Sequence, residues 1–136
     1  MAKIYYLDTN ICIAHMRKPF GVVARKINSI DPAFIKRPAI VKGELLLGAE
    51  KSKRRRETLV ETLIFCRPYD IVPFEDSILR TYAEIRAALE MKGQKIGYND
   101  SIIAATVLMK GGVLVTNNTK EFSRVDGLQL EAWTQE

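Results

Sequence analysis

In Ile4-Tyr5-Tyr6-Leu7-Asp8-Thr9-Asn10, four strand-forming residues run straight into a carboxylate, and a Thr-Asn pair follows that can open a helix. Asp8 is therefore expected where a strand ends and a helix begins. In an open parallel sheet that edge is where ligands and chemistry collect. The reading of the whole chain turns on which other polar side chains reach the same edge.

Working outward, the chain alternates between the two periodicities. Thr9 to about Met16 reads as a short helix, stopped before Pro19. Phe20 to Ile30 reads as a second, with Val22, Val23, Ile27 and Ile30 on its inner stripe. Phe34 to Ile40 looks strand-like, but Pro38 suggests an edge strand or a very short one. Val41 to Glu50 is expected to be helical with Glu44 near its first turn, and Arg54 to Cys66 forms the next helix. Tyr69 to Val72 is a strand, and Asp76 to Lys92 is an amphipathic helix closed by Gly93. A buried helix opens at Asn99 or Asp100 and runs to Met109; Gly111-Gly112 then turns the chain into Val113-Leu114-Val115. A helical turn near Thr119 to Phe122 and a strand near Leu128 to Leu130 complete an α/β fold, three layers around a mainly parallel sheet.

The 136 residues suit one domain, 1–136, with a real core, and 47% hydrophobic against 27% charged residues is a globular balance. The longest apolar run, Ile102 to Met109, is broken by Thr106, so no membrane span or signal peptide is expected and the address is cytoplasmic. Cys12 and Cys66 read as reduced core thiols. The net charge of +5 is uneven: residues 17–56 hold 12 basic and 3 acidic side chains, and the remainder 9 and 13. A basic surface beside an acidic pocket suits an enzyme that holds a polyanion by its backbone.

Right-handed β-α-β units place strand C-termini and helix N-termini on one edge. Asp8, Glu44, Asp100 and Asn118 all map there. Clustered carboxylates repel unless a cation neutralises them, and an oxygen-only set selects a hard ion, Mg²⁺ or Mn²⁺. Asp100 at a helix N-terminus is expected to stay ionised. His15 reads as a surface or core residue rather than a ligand. Taken singly, each acid could be a helix cap or an exposed helix residue; Asp8 at the end of a core strand and Asp100 in a buried helix argue otherwise.

With these residues in place, the chain closely resembles the PIN-domain ribonucleases, specifically VapC-type toxins. The likeness rests on Leu7-Asp8-Thr9-Asn10-Ile11, Glu44-Leu45-Leu46-Leu47-Gly48-Ala49, Ile96-Gly97-Tyr98-Asn99-Asp100 with Ile103-Ala104-Ala105, and Val115-Thr116-Asn117-Asn118-Thr119-Lys120-Glu121-Phe122. It implies a PIN-like fold and Mg²⁺-dependent cleavage of RNA, with Mn²⁺ able to substitute and transfer RNA the favoured substrate. It also implies neutralisation by a cognate VapB-type antitoxin and a homodimer or higher assembly with it. Metal-binding carboxylates carry over to Asp8 and Asp100, with Glu44 as the third catalytic acid. Asn10 and Thr116 match polar positions beside the site. Many PIN domains have an acid where Asn118 stands, which weakens a second metal site unless Glu121 substitutes. Tyr98 stands where many relatives have proline, and could stack on a base or merely pack. Arg17, Lys18, Arg25, Lys42, Arg54 and Arg55 are the backbone-gripping candidates.

Two other readings compete. One is a catalytically weak RNA- or antitoxin-binding module, kept alive by Asn118. The other is a phosphoacceptor receiver domain, which needs an adjacent acid pair after the first strand that Leu7-Asp8-Thr9 does not supply.

Overall fold

Five parallel strands form one sheet in the order β3-β2-β1-β4-β5, in a computed structural model that describes residues 3–133. They are β1 (Tyr5–Leu7), β2 (Ile35–Pro38), β3 (Asp70–Val72), β4 (Val113–Val115) and β5 (Gln129–Glu131). The helices are α1 (Thr9–Arg17), α2 (Val22–Asn28), α3 (Ala39–Glu50), α4 (Arg55–Cys66), α5 (Asp76–Met91), α6 (Tyr98–Lys110) and α7 (Thr119–Phe122), with a 3₁₀ turn at Pro32–Phe34. The α/β class and the parallel sheet are as expected. One continuous core runs through both faces of the sheet, from Leu7, Ile11 and Ile35 to Ile103, Leu114 and Phe122, all fully buried.

Three local expectations need correction. Of the two readings of β2, the edge strand fails and the very short strand holds: it is four residues long and lies between β3 and β1. Its pairing with β1 stops at Lys36, and Pro38, opposite Val72 of β3, is its last residue and the N-cap of α3, so the missing N–H falls at the strand exit. α3 begins two residues early, at Ala39, which moves Glu44 out of the first turn and into the second. α2 is shorter than expected, Val22–Asn28 instead of Phe20–Ile30, with Gly21 as N-cap and Phe20 left exposed.

The chain order creates the site. From β1 the chain winds one way through β2 to β3, then returns to the opposite side of β1 at β4. The strand order therefore reverses between β1 and β4, and a crevice opens beyond their C-terminal ends. Gly111, at φ +78°, ends α6 in the left-handed conformation. Gly112 then passes beside Tyr6 so closely that a Cβ there would stand 2.8 Å from the Ile4 carbonyl oxygen. This close passage fits β4 against β1 and aligns Leu7 with Val115.

Candidate active site

Asp8 and Thr116 are the first residues beyond β1 and β4, and both are buried. The Asp8 N–H donates to the Val115 carbonyl at 3.0 Å, so the two strand ends are tied by backbone. The Thr116 hydroxyl donates to Asp8 Oδ2 at 2.7 Å and accepts from the Asn118 N–H at 2.9 Å. Asp8 Oδ1 accepts from the Thr9 N–H at 2.8 Å. Both oxygens of Asp8 are thus fixed in direction. Burial still pushes its carboxyl above the usual range, the bonds from Thr116 and Thr9 oppose that, and the charge of Glu44 adds to it.

Glu44, in the second turn of α3, is gripped from two sides. Its Oε1 accepts from the Thr9 hydroxyl at 2.6 Å and its Oε2 from the Asn99 amide at 3.1 Å. Three elements (α1, α3 and α6) therefore meet at one carboxylate. Thr9 and Asn99 read from sequence only as helix openers. Their partner is 35 and 55 residues away, so no local signal could have revealed the clamp.

Asp100 is different. It is the third residue of α6, whose N-cap is Gly97, so it does not act as the cap. Among the described residues its half-buried carboxylate accepts no hydrogen bond. Burial, followed by the charges of Asp8, Glu121 and Glu44, raises its pKa to about 6. A value of about 6 leaves Asp100 mainly ionised at neutral pH, as expected, but above the usual carboxylate range, because desolvation and three like charges outweigh the partial charge of the helix N-terminus. Glu121 on α7 completes the group and accepts from the Asn118 amide at 2.9 Å.

Asp8, Glu44 and Glu121 are thus all within electrostatic reach of Asp100, whose carboxylate has no partner among the described residues. Every donor is an oxygen, which suits a hard divalent cation. Among the described residues no three His, Cys, Asp or Glu side chains are drawn together tightly enough to make a preformed cage. The donor chemistry fits a cation, while Glu44 is spoken for by Thr9 and Asn99.

The chain belongs to the PIN-domain family. The PIN domain model matches residues 5–128. The chain is 37% identical to Ribonuclease VapC2 of Rickettsia felis over 131 residues, covering 96% of this chain and 98% of that one. It is 32% identical to the tRNA(fMet)-specific endonuclease VapC of Shigella flexneri, with the same coverage of 96% and 98%. Among solved structures, VapBC2 from Rickettsia felis bound to a promoter DNA fragment matches with a TM-score of 0.90 at 36% identity, over 96% of this chain and 98% of that one. DNA-bound VapBC from Salmonella typhimurium gives 0.91 at 30% identity, over 97% and 99%. PIN-domain nucleases are in general divalent-metal dependent, in keeping with the oxygen-only donor set of this PIN domain.

The remaining sequence candidates fall into groups. Asn10 is exposed and lines a cleft of about 440 Å³ between α1 and α2, together with Arg17, Lys18 and Asn117. A second cleft of about 430 Å³, between α1, α3 and α4, is bordered by Arg17 and Glu44. Neither cleft is lined by Asp8 or Asp100. Lys42 is in the first turn of α3, and Arg25 is exposed on α2. Arg54 and Arg55 sit beyond the other end of α3 and are paired with Glu57 and Glu50. Tyr98 opens α6 and is exposed. His15 packs against Phe65 with ring centroids 5.0 Å apart, away from the carboxylates, and Cys12 and Cys66 are buried free thiols.

Proposed function

We propose that this chain, acting as a single PIN domain over residues 1–136, is an endoribonuclease toxin that hydrolyses RNA phosphodiester bonds and is held inactive by a VapB-type antitoxin. The observation that carries this reading is the half-buried Asp100 carboxylate, which accepts no hydrogen bond among the described residues and is raised to about 6 by burial and then by the charges of Asp8, Glu121 and Glu44. Such a group is costly to keep ionised without a cation, and the relatives are ribonucleases by name.

Asp8 and Asp100 would hold the ion, with Mg²⁺ the natural choice and Mn²⁺ a working substitute. When bound, the ion supplies charge neutralisation and Lewis-acid polarisation of a phosphoryl oxygen. Asp8, fixed by Thr116 and Thr9, contributes a ligand that needs no reorganisation. Glu44 keeps a free lone pair on each oxygen and is oriented by Thr9 and Asn99, so it can take the proton of an attacking water. The water oxygen forms the new bond to phosphorus while the opposite sugar oxygen leaves with its bonding pair and is protonated by solvent. Arg17, Lys18 and Lys42, at the clefts and at the near end of α3, grip the backbone without choosing a sequence. Transfer RNA is the favoured substrate, because a relative is named for cutting it. The antitoxin partner follows from solved VapBC complexes, and a homodimer is the expected assembly. No helix among the described residues is long and apolar enough to cross a membrane; we read the cytoplasm, where its RNA substrate would be met, as its compartment.

A second reading is supported by the absence of a three-ligand cage among the described residues and by Asn118 in place of an acid. In it the fold binds RNA or antitoxin without cutting. One experiment separates the two: purified protein is incubated with Mg²⁺ and transfer or ribosomal RNA, beside Asp8→Asn and Asp100→Asn. Cleavage abolished by EDTA and by both variants supports the nuclease. RNA binding that survives EDTA without products supports the module.

A further inference from the structure

Tyr98 is 68% exposed, a large fraction for an aromatic residue at a helix start. Its ring is nevertheless not loose. The Arg86 guanidinium lies over one face, 4.1 Å from the ring centroid. Arg86 itself is held: Nη2 donates to Glu90 Oε2 at 2.7 Å, and Nη1 lies 3.4 Å from both the Ile96 carbonyl and the Ser101 hydroxyl. Its side chain is only 15% exposed. The aromatic plane is therefore braced from behind by a fixed cation, and the exposure belongs to its outer face and edge. Tyr98 is also the first residue of the helix that carries Asp100, two positions before it and in the same turn.

We infer that Tyr98 is a stacking platform for the base of a nucleotide flanking the scissile phosphate, with Arg86 as the positioning residue that sets its plane. This deepens the nuclease reading and rests on it. A flat, oriented and solvent-open ring costs little to desolvate on one face and offers every base a π surface, which is how unpaired RNA is commonly held. Arg17 and Lys18 line a cleft between α1 and α2, and cations of that kind hold a strand's phosphates while an aromatic ring holds a base. A protein partner on the same ring is the competing occupant. A ring held flat by Arg86 in the helical turn that also carries Asp100 favours a base, since a protein contact gains nothing from a fixed, open π face at that position.

The test uses the full chain in EDTA, so that cleavage plays no part and failure of the nuclease reading cannot be mistaken for failure of this one. The probes are a ten-nucleotide single-stranded oligoadenylate carrying one 2-aminopurine and an abasic oligomer of equal length. Wild type, Tyr98→Phe and Tyr98→Trp should quench the 2-aminopurine and bind the oligoadenylate alike. Tyr98→Ala should lose the quench and weaken oligoadenylate binding by roughly tenfold, with abasic binding changed less than twofold. Arg86→Met should give a partial loss at unchanged circular dichroism. Equal quenching and affinity for Tyr98→Ala and wild type would overturn the proposal. So would a Tyr98→Ala defect confined to antitoxin binding.

Discussion

At the strand-end rim Asp8 is 5% exposed, and Asp100 is half-buried with no hydrogen bond to its carboxylate among the described residues. At the α3–α4 turn, Arg54 and Arg55 have side chains 72% and 61% exposed, each against its own carboxylate, Glu57 and Glu50. The sequence makes the second region look the more conspicuous, a run of Lys and Arg from Lys51 to Arg56. Physically it is the quieter one. Exposed pairs in water are screened and contribute little, whereas like charges gathered under partial burial raise one another's energy and need an outside cation. Density of charge along a chain is thus a poor guide to where chemistry sits; burial without a partner is a better one.

The widest gap between the two regions should appear in activity. Asp8→Asn or Asp100→Asn is expected to lower RNA cleavage by about a hundredfold or more, while Arg54→Gln with Arg55→Gln stays within about threefold, measured as kcat/KM on one RNA. Comparable losses in both would erase the distinction.

Stability should separate them next. The folded-state pKa of Asp100 is raised from the usual 3.8 to about 6, and that of Asp8 is raised as well. Between those values the folded chain binds more protons than the unfolded one, so stability must fall as pH rises. In EDTA the Tm should therefore drop from pH 4.5 to pH 6.5, and Asp100→Asn should flatten that slope. Mg²⁺ should restore Tm at pH 7 in wild type and not in Asp100→Asn. A Tm that climbs steadily over this interval would contradict the account of the rim.

A smaller effect is expected inside the rim. Thr116→Val removes the donor to Asp8 Oδ2 and leaves the Asn118 N–H without its acceptor. A charge-assisted bond of this kind contributes about 1.5–3 kcal/mol, so cleavage should fall by about tenfold to a hundredfold. Smallest of all, removing the Arg55–Glu50 pair by Arg55→Gln should shift stability by at most about 0.5 kcal/mol in chemical denaturation.

Much of this was legible in the chain. Asp8 after Tyr5–Leu7, the strand Val113–Val115 and the apolar helix around Ile103 were readable because each carries a strong local period and a clear stop. Pro38 left β2 as an edge strand or a very short one; it is the short one, four residues inside the sheet with Pro38 at the last register position opposite Val72, and only the register decides between the two. The Thr9–Glu44–Asn99 clamp and the Arg86–Tyr98 stack were invisible for a related reason. They join different elements, and nothing in a helix opener or an amphipathic stripe marks the side chain it will meet. The raised pKa of Asp100 is the opposite case: the local rule for a helix N-terminus is sound, and tertiary crowding that the sequence does not show works against it.

The central claim is that Asp8 and Asp100 share one divalent ion. Titrating Mn²⁺ into the metal-free chain and counting bound ions by electron paramagnetic resonance tests it without any RNA. One tight site per chain, lost in both Asp8→Asn and Asp100→Asn and kept in the Arg54→Gln, Arg55→Gln chain, is the expected result. A site that persists in both rim variants, or no site in wild type, would contradict it.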